Sequence, residues 1–424
     1  MCPDNLTWMV SRPLHAVLLP AGQPPGWLLD RLAAALDGTG PALLPVDPRL
    51  PPGQVAGLLH ALRPHTLETP DGTQRLDPGD SPALAAGTAV VIATSGSTGP
   101  PKGAELTAAA LRASARASLD RLGARPGEPW LCCLPPSHIS GLQVFVRSLL
   151  AGAEPVLAGR LDAATAAAAG GHFVSLVPAQ LRRLLDEPGG PAVLATFRGI
   201  LLGGAAVPGG LLAQARAAGA RVLTTYGMTE TCGGCVYDGR PLDGVSVRVG
   251  PDGRIGLAGP VLFAGYRGRP ELTAAAMDGP WFVTSDVGEL DGDGRLAVRG
   301  RADGMINTGG EKVAADEVAA VLAGCPGVHD VVVVGRPDPR WGELVTAVVV
   351  AADPADPPGL ALLSRAVRER LPDYAAPRAL MLVPAIPLLR SGKPDLPALR
   401  ALAAQELSAS SRGHAPTRGN NQPR

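Results

Sequence analysis

Two rhythms of hydrophobic residues alternate along this chain. Short runs of consecutive aliphatic residues, such as Val90-Val91-Ile92-Ala93, give way to stretches in which apolar residues return every third or fourth position. The first rhythm reads as buried strand, the second as helix lying on a sheet. Helices are predicted over 27–36 and 108–122; Thr107 stands where it can cap the second, and Leu111, Ala115, Leu119 and Leu122 form its buried stripe. Strands and helical segments then alternate through 130–134, 148–150, 155–157, 173–177, 180–185, 199–202, 211–218 and 221–225. That alternation predicts an α/β sheet covered by helices. Residues 1–85 show only short apolar runs between Pro-rich turns such as Leu50-Pro51-Pro52-Gly53.

The rhythm changes over 245–298, where strands are separated by Pro251-Asp252-Gly253 and Asp291-Gly292-Asp293-Gly294. Such turns predict antiparallel hairpins. After Gly300-Arg301-Ala302-Asp303 the order restarts, with helices over 316–322 and 360–371 and strands over 329–334, 344–350 and 379–383. The expected organisation is a large N-terminal α/β domain with a β-rich part (1–301), a small C-terminal α+β domain (302–407), and a polar, aperiodic tail (408–424) read as disordered.

Composition narrows the function classes. The 38 Lys and Arg balance 38 Asp and Glu, so no global field draws the chain to nucleic acid or anionic lipid, and any phosphate recognition must be local. No window approaches the ~20 apolar residues of a membrane span. The apolar run at Val17-Leu18-Leu19 is interrupted by Arg12, Pro13 and Pro20, so no signal peptide is read and a cytoplasmic location is expected. Cys232-Gly-Gly-Cys235 is the only CxxC among the six cysteines, and adjacent Cys132-Cys133 cannot form a second metal knuckle; all are expected to be small buried residues.

Candidate chemistry begins where the first run ends, at Thr94-Ser95-Gly96-Ser97-Thr98-Gly99-Pro100-Pro101-Lys102-Gly103. Glycines let backbone N–H groups approach an anion, the hydroxyls donate hydrogen bonds, and the lysine adds a point charge. It is not a Walker A loop, because Lys102 is followed by Gly103 rather than by Ser or Thr. Alone it would read as a flexible Gly/Ser connection. Four further stretches share its character. Thr224-Thr225-Tyr226-Gly227-Met228-Thr229-Glu230-Thr231 offers a ring, hydroxyls and a carboxylate at the end of a strand, where α/β folds commonly place ligands. Trp281-Phe282-Val283-Thr284-Ser285-Asp286 sets a carboxylate after an apolar strand, suited to a ribose diol. Gly300-Arg301-Ala302-Asp303 joins a cation and a carboxylate at the domain junction, and Arg390-Ser391-Gly392-Lys393-Pro394 puts a lysine on a glycine turn. Taken singly, these would be an N-cap, a hairpin turn, a surface ion pair and a loop lysine.

In this order, over roughly residues 85–400, the motifs resemble the adenylate-forming superfamily of acyl-CoA synthetases, luciferases and nonribosomal peptide adenylation domains. The resemblance implies a large N-terminal and a small mobile C-terminal domain, with ATP, magnesium and CoA as the cofactors and co-substrates. It implies two steps: a carboxylate attacks the α-phosphate to give an acyl-adenylate and pyrophosphate, then a thiol takes the acyl group and AMP leaves. By the same resemblance Thr94, Ser95, Gly96, Ser97, Thr98, Gly99 and Lys102 hold the β- and γ-phosphates. Gly203, Gly204, Ala205, Tyr226 and Gly227 border the adenine. Thr229 contacts the α-phosphate, Glu230 the magnesium, and Asp286 the ribose with help from Arg301. Asp303 is the hinge, Lys393 the catalytic lysine of the first step, and Gly309 and Gly310 belong to the loop lining the thiol tunnel. Ser285, Asn307 and Arg390 depart from the family's usual Gly, Lys and Thr, and only about ninety residues precede the phosphate loop, fewer than in long members.

Within the superfamily, the 134–149 stretch beginning Leu134-Pro135-Pro136-Ser137-His138-Ile139, the 172–181 stretch, and 226–237 with its Cys-Gly-Gly-Cys ending look like those of compact o-succinylbenzoate–CoA ligases of menaquinone biosynthesis. That substrate carries two carboxylates: one is activated, the other must be held in a partly dry pocket. Arg147 lies nine residues after His138 on a segment expected to be helical; an inward cation and an ordinary ion pair explain it equally well. Gln143, Ser175 and Thr231 are candidate donors to the acid, and His138 is expected at the acyl tunnel, with a satisfied core histidine as the alternative. The partners implied are a small carboxylic acid, ATP and CoA, with no nucleic acid; a homodimer is left open. A ligase for another acid and a non-catalytic nucleotide-binding homologue are the alternatives.

Overall fold

The computed structural model describes residues 12–19, 25–69, 71–94, 101–159, 161–207, 209–389 and 392–410. Two compact units divide the chain, one ending at Val298 and the other running from Arg299 onward with 208–210 added to it. Among the described residues no helix is long and apolar enough to cross a membrane.

The first unit contains a seven-stranded sheet built around the Val90-Val91-Ile92 run. Strand Thr88–Thr94 pairs antiparallel with Lys102–Thr107, with Val91 opposite Glu105 and Thr94 opposite Lys102. Across the sheet the order is Gly265–Tyr266, Lys102–Thr107, Thr88–Thr94, Ala42–Val46, Leu14–Leu18, Thr66–Thr69 and Gly72–Arg75. The described residues before 85 therefore supply four strands and two helices, Pro25–Asp37 and Pro52–Leu62, of which the sequence pattern anticipated only the first helix. Pro45 disguises one of these strands. It is tolerated because Ala42–Val46 pairs along its length with Leu14–Leu18, while its ladder to Thr88–Thr94 is recorded at the single rung Leu43–Val90. Helix Ala108–Leu122 starts where expected: the Thr107 hydroxyl accepts from the Ala110 amide at 3.1 Å. Leu111 and Ala115 are fully buried, with Leu119 and Leu122 packed partly exposed on the same core.

A second sheet runs Arg240–Pro241, Gly233–Tyr237, Val222–Met228, Gly199–Leu202, Phe173–Leu176, Trp130–Cys132, Val156–Leu157. It is parallel from Val156–Leu157 to Val222–Met228 and antiparallel beyond. The apolar segment read at 148–150 is the last turn of helix Ile139–Ala151, which carries Arg147 on the stretch expected to be helical. Nearly every position of that helix is buried, including Leu142, Val144, Phe145 and Val146, so no polar stripe betrays its period. A third, antiparallel sheet runs Ser246–Val249, Arg254–Ala258, Trp281–Leu290, Met277–Asp278, with Leu296–Arg301 also pairing with Trp281–Leu290, as the Gly/Asp turns predicted.

The second unit has its own sheet: Glu311–Ala314, Met305–Thr308, Gly342–Ala351, Val328–Asp338, with Ala379–Leu382 on Gly342–Ala351. Helices Ala315–Leu322 and Leu360–Arg368 cover one side through Val318, Leu322, Leu363 and Val367. Helix Leu396–Ser410 buries Leu399 and Ala403 and continues past residue 408, where the disordered tail was expected to begin.

Replacing the cap tests the local physics. Thr107→Ala is expected to lose about 1 kcal/mol and to speed hydrogen exchange at the Ala110 amide. Unchanged exchange at Ala110 would show that the cap does not form in solution.

Candidate active site

The candidate phosphate loop is described at its two ends, Thr94 and Lys102. Thr94 and Lys102 are partners on one rung of the ladder, and the Thr94 hydroxyl donates to the Lys102 carbonyl at 3.3 Å. Ser95, Gly96, Ser97, Thr98 and Gly99 lie outside the described residues. The Lys102 ammonium stands 5.6 Å from the ring centroid of Tyr266, whose hydroxyl donates to Glu230 Oε1 at 2.8 Å. Glu230 follows strand Val222–Met228 in the short turn Thr229–Thr231 and is half-buried. Among the described residues it has no cationic partner, and no group of three or more His, Cys, Asp or Glu could enclose a metal. A single carboxylate suits magnesium, which usually keeps water and substrate phosphates as its other ligands. Thr229 opens the same turn.

The ends of the parallel strands bring the nucleotide candidates together. Gly203 follows strand Gly199–Leu202, and a Cβ there would stand 2.2 Å from the Thr225 hydroxyl, so only glycine allows the two strand ends to lie this close. Gly204 and Ala205 continue that turn, and Gly227 sits at the bulge where Val222–Met228 meets Gly233–Tyr237. The Tyr226 hydroxyl donates to Asp286 Oδ2 at 2.8 Å, joining the second sheet to the third. Burial, and then the Asp286 charge, push the Tyr226 phenol above its ordinary pKa, so it remains a donor. Asp286 is further fixed through its own amide, which donates to the Thr284 hydroxyl at 3.0 Å.

Beneath this surface lies a buried cation. Arg147, on helix Ile139–Ala151, is 4% exposed. It donates to the Gln143 carbonyl at 3.0 Å, the Ser118 hydroxyl at 3.2 Å and the Ser175 hydroxyl at 3.1 Å. Its guanidinium carbon lies 4.0 Å from the Trp130 ring centroid, and Trp130 stacks on Phe173 at 5.1 Å. Every partner is neutral, and among the described residues no carboxylate pairs with it. Burial lowers its pKa from the ordinary guanidinium value, but an arginine stays charged in proteins. The Ser118 hydroxyl also meets the Tyr237 phenol at 2.8 Å.

Two of the expected acid donors are already committed. The fully buried Thr231 hydroxyl accepts from the Met228 amide at 2.9 Å and donates to the Gly233 carbonyl at 2.7 Å, closing its own turn. With one hydrogen to give, it cannot also serve the acid, and that expectation is corrected. The Gln143 amide nitrogen donates to the Cys232 carbonyl at 2.8 Å and to the Leu111 carbonyl at 3.4 Å, which leaves only its buried Oε1, an acceptor, without a partner among the described residues. Ser175 remains, through Arg147. His138 is half-buried at the N-cap of helix Ile139–Ala151, with its carbonyl accepting from Leu142 at 2.9 Å.

In the second unit, Gly309 and Gly310 form a two-residue hairpin turn between Met305–Thr308 and Glu311–Ala314, with φ of 63° and 88°. Positive φ at both positions explains the pair. Arg301 ends strand Leu296–Arg301, and the backbone of Asp303 lies in the turn Ala302–Gly304; its side chain is outside the described residues. Lys393 is exposed on a tight turn, its carbonyl accepting from the Leu389 amide at 2.7 Å. Arg390 is outside the described residues.

Tyr266, Trp130, Ser118 and Tyr237 had no place in the sequence-based site. Trp130, Ser118 and Tyr237 read as core or helix positions. Tyr266 carries a weak signal at most, an aromatic residue beside Gly265 in an irregular stretch.

Comparison with known proteins agrees with this geometry. Residues 39–266 match the model of the AMP-binding enzyme family, and residues 317–393 that of the AMP-binding enzyme C-terminal domain. A protein of Mycobacterium tuberculosis named a probable 2-succinylbenzoate–CoA ligase is 44% identical over 397 residues, covering 91% of this chain and 97% of its own. The 2-succinylbenzoate–CoA ligase of Listeria monocytogenes is 33% identical over 322 residues, covering 72% of this chain and 68% of its own. In structure the chain is similar to the o-succinylbenzoate CoA synthetase of Bacillus subtilis, solved in complex with its acyl-adenylate intermediate, with a TM-score of 0.76, 26% identity, and coverage of 92% of this chain and 89% of that one.

The thiols nearest these residues are inert by burial. Cys232 and Cys235 are fully buried, and burial pushes the Cys235 thiol up to about 12, as it does Cys132. Cys132, Cys232 and Cys235 are therefore expected to resist iodoacetamide at pH 8 in the folded protein and to react fully in denaturant, read site by site by peptide mass spectrometry. Rapid native labelling of Cys232 or Cys235 would contradict a purely packing role.

Proposed function

The chain belongs to the AMP-binding enzyme family, and on that premise we propose that it is an ATP-dependent acid–thiol ligase making o-succinylbenzoyl-CoA in menaquinone biosynthesis. A carboxylate oxygen of o-succinylbenzoate attacks the α-phosphorus of ATP, and the bond to pyrophosphate breaks. The CoA thiol then displaces AMP from the acyl-adenylate. Both steps bring polyanions together or part them, so catalysis is a matter of positioning and of cations aimed at developing charge.

The residues divide that work. Lys102 and the loop before it take the terminal phosphates. Thr229 contacts the α-phosphate and Glu230 holds magnesium, which when bound screens the triphosphate charge. Tyr226, with Gly203, Gly204, Ala205 and Gly227, borders the adenine, and Asp286 takes the ribose hydroxyls with Arg301. Lys393 supplies positive charge to the reacting phosphate in the first step and withdraws for the second, with Asp303 as the hinge and Gly309-Gly310 beside the incoming thiol. His138 stands at the acyl tunnel. ATP and CoA as co-substrates are in keeping with a cytoplasmic reaction.

The observation that supports this acid over others is Arg147: a buried guanidinium whose protein partners are all neutral retains its charge for an anion. A substrate with one carboxylate would spend that group on the α-phosphate and leave the buried cation uncompensated. A second carboxylate satisfies it. The relatives named as ligases of 2-succinylbenzoate support the same reading.

Thioester formation with o-succinylbenzoate, benzoate and a fatty acid, followed by pyrophosphate release and by chromatography of the CoA ester, tests the proposal. Only o-succinylbenzoate is expected to turn over efficiently. Equal turnover of benzoate or a fatty acid would assign a different acid, and no pyrophosphate from any acid would leave a nucleotide-binding homologue. Lys393→Ala is expected to lose adenylate formation by at least about a hundredfold while transfer from preformed adenylate to CoA continues. Equal loss in both half-reactions would remove Lys393 from its role.

A further inference from the structure

Residues 263–267 form a strap stitched to both sides of the nucleotide site. The Phe263 amide donates to the Glu230 carbonyl, the Ala264 amide to the Glu105 carbonyl and the Arg267 amide to the Gly103 carbonyl, each at 2.8 Å. Gly265 and Tyr266 thereby pair with Glu105 and Ala104, next to the foot of the phosphate loop. The strap is anchored by the buried Arg267 side chain, which donates to the Leu62 carbonyl at 2.8 Å and the Ser81 hydroxyl at 2.7 Å and lies 3.6 Å from Glu105 Oε1. Glu105 in turn accepts from the Ala85 amide at 2.7 Å. The Tyr266 ring is set edge-on to Phe263 at 4.9 Å, and its backbone amide donates to the Thr273 hydroxyl at 2.9 Å.

A ring held this firmly carries one polar contact at each end of the triphosphate's expected path. We propose that Tyr266 is a positioning residue for adenylation, its hydroxyl orienting Glu230 and its face carrying the Lys102 ammonium, so that one side chain sets the spacing between the metal-holding carboxylate and the phosphate-holding lysine. The proposal rests on the reading that Glu230 and Lys102 serve magnesium and the terminal phosphates. The chemistry favours a phenol here. A cationic partner would orient Glu230 but cancel the charge that a divalent ion needs, whereas a neutral hydroxyl orients it and leaves the charge in place.

Two substitutions separate hydroxyl from ring. Tyr266→Phe keeps the packing on Phe263 and the platform for Lys102 but removes the donor. In the full-length protein, Mn2+ affinity of the enzyme–ATP complex, read by electron paramagnetic resonance, is expected to fall about tenfold. ATP–pyrophosphate exchange should fall with it in kcat, the KM for ATP holding near its original value, and transfer from preformed adenylate to CoA should persist. Tyr266→Leu, which also removes the platform, is expected to raise the KM for ATP about tenfold in addition. Glu230→Gln, measured alongside, distinguishes the two ways of failing. If Glu230→Gln loses Mn2+ affinity and Tyr266→Phe does not, Tyr266 only packs and the proposal is wrong. If Glu230→Gln also keeps its Mn2+ affinity, the assignment of Glu230 fails and the proposal falls with it.

Discussion

Taking a guanidinium out of water costs several kcal/mol unless something replaces the water, and the first unit arranges four elements to replace it around Arg147. Helix Ala108–Leu122 gives Ser118, strand Phe173–Leu176 gives Ser175, strand Trp130–Cys132 gives the Trp130 face, and the carbonyl of Gln143 comes from the arginine's own helix. These three hydrogen bonds and the ring contact use part of the guanidinium's five-donor capacity without neutralising the charge. Among the described residues no carboxylate stands beside that charge, which is the ground for proposing that a substrate anion completes it. Most of the packing between the helix pair and the second sheet can be read as support for that point: Trp130 and Phe173 are both fully buried and stacked, and Tyr237 buttresses Ser118.

The same logic recurs at the nucleotide end with the signs reversed. Glu230 and Asp286 each accept a hydrogen bond from a tyrosine hydroxyl at 2.8 Å. In both pairs burial and the neighbouring carboxylate push the phenol's pKa upward, so the tyrosines stay protonated donors across the physiological range. Each of these two hydrogen bonds comes from a neutral group, one from the strap after the third sheet's hairpin and one from the end of the second sheet. For Glu230, which among the described residues has no cationic partner, a neutral donor orients the carboxylate without cancelling its charge.

What was legible in the sequence follows from period and punctuation. Helix Ala108–Leu122 has a capping threonine and a one-sided stripe, and the antiparallel sheet is marked by Pro251-Asp252-Gly253 and Asp291-Gly292-Asp293-Gly294; all were readable because each signal is local. Only the last turn of helix Ile139–Ala151 shows as a short apolar segment, because burial of nearly every position erases the polar stripe. The N-terminal strands were missed because Leu14–Leu18 and Ala42–Val46 are short, and one contains a proline that only the pairing pattern excuses. At the site, charged and hydroxyl residues in ordered motifs stood out. Their supports did not, because Ser118, Trp130 and Tyr266 act through contacts between residues far apart in sequence. Thr231 shows the converse error: a hydroxyl in a motif looked available, and the turn consumes it.

The central claim is that Arg147 selects a second carboxylate, and a substrate–enzyme cycle tests it most directly. The kcat/KM of adenylation is measured for o-succinylbenzoate and for the two mono-acids made by deleting either carboxylate, with the unaltered protein and with Arg147→Met. Truncating one partner of a buried charge pair costs about 2–5 kcal/mol. The mono-acid that keeps the reacting carboxylate should therefore fall about a hundredfold or more below o-succinylbenzoate with the unaltered protein, and the two should be nearly equal with Arg147→Met. An o-succinylbenzoate preference that survives Arg147→Met undiminished would contradict the account.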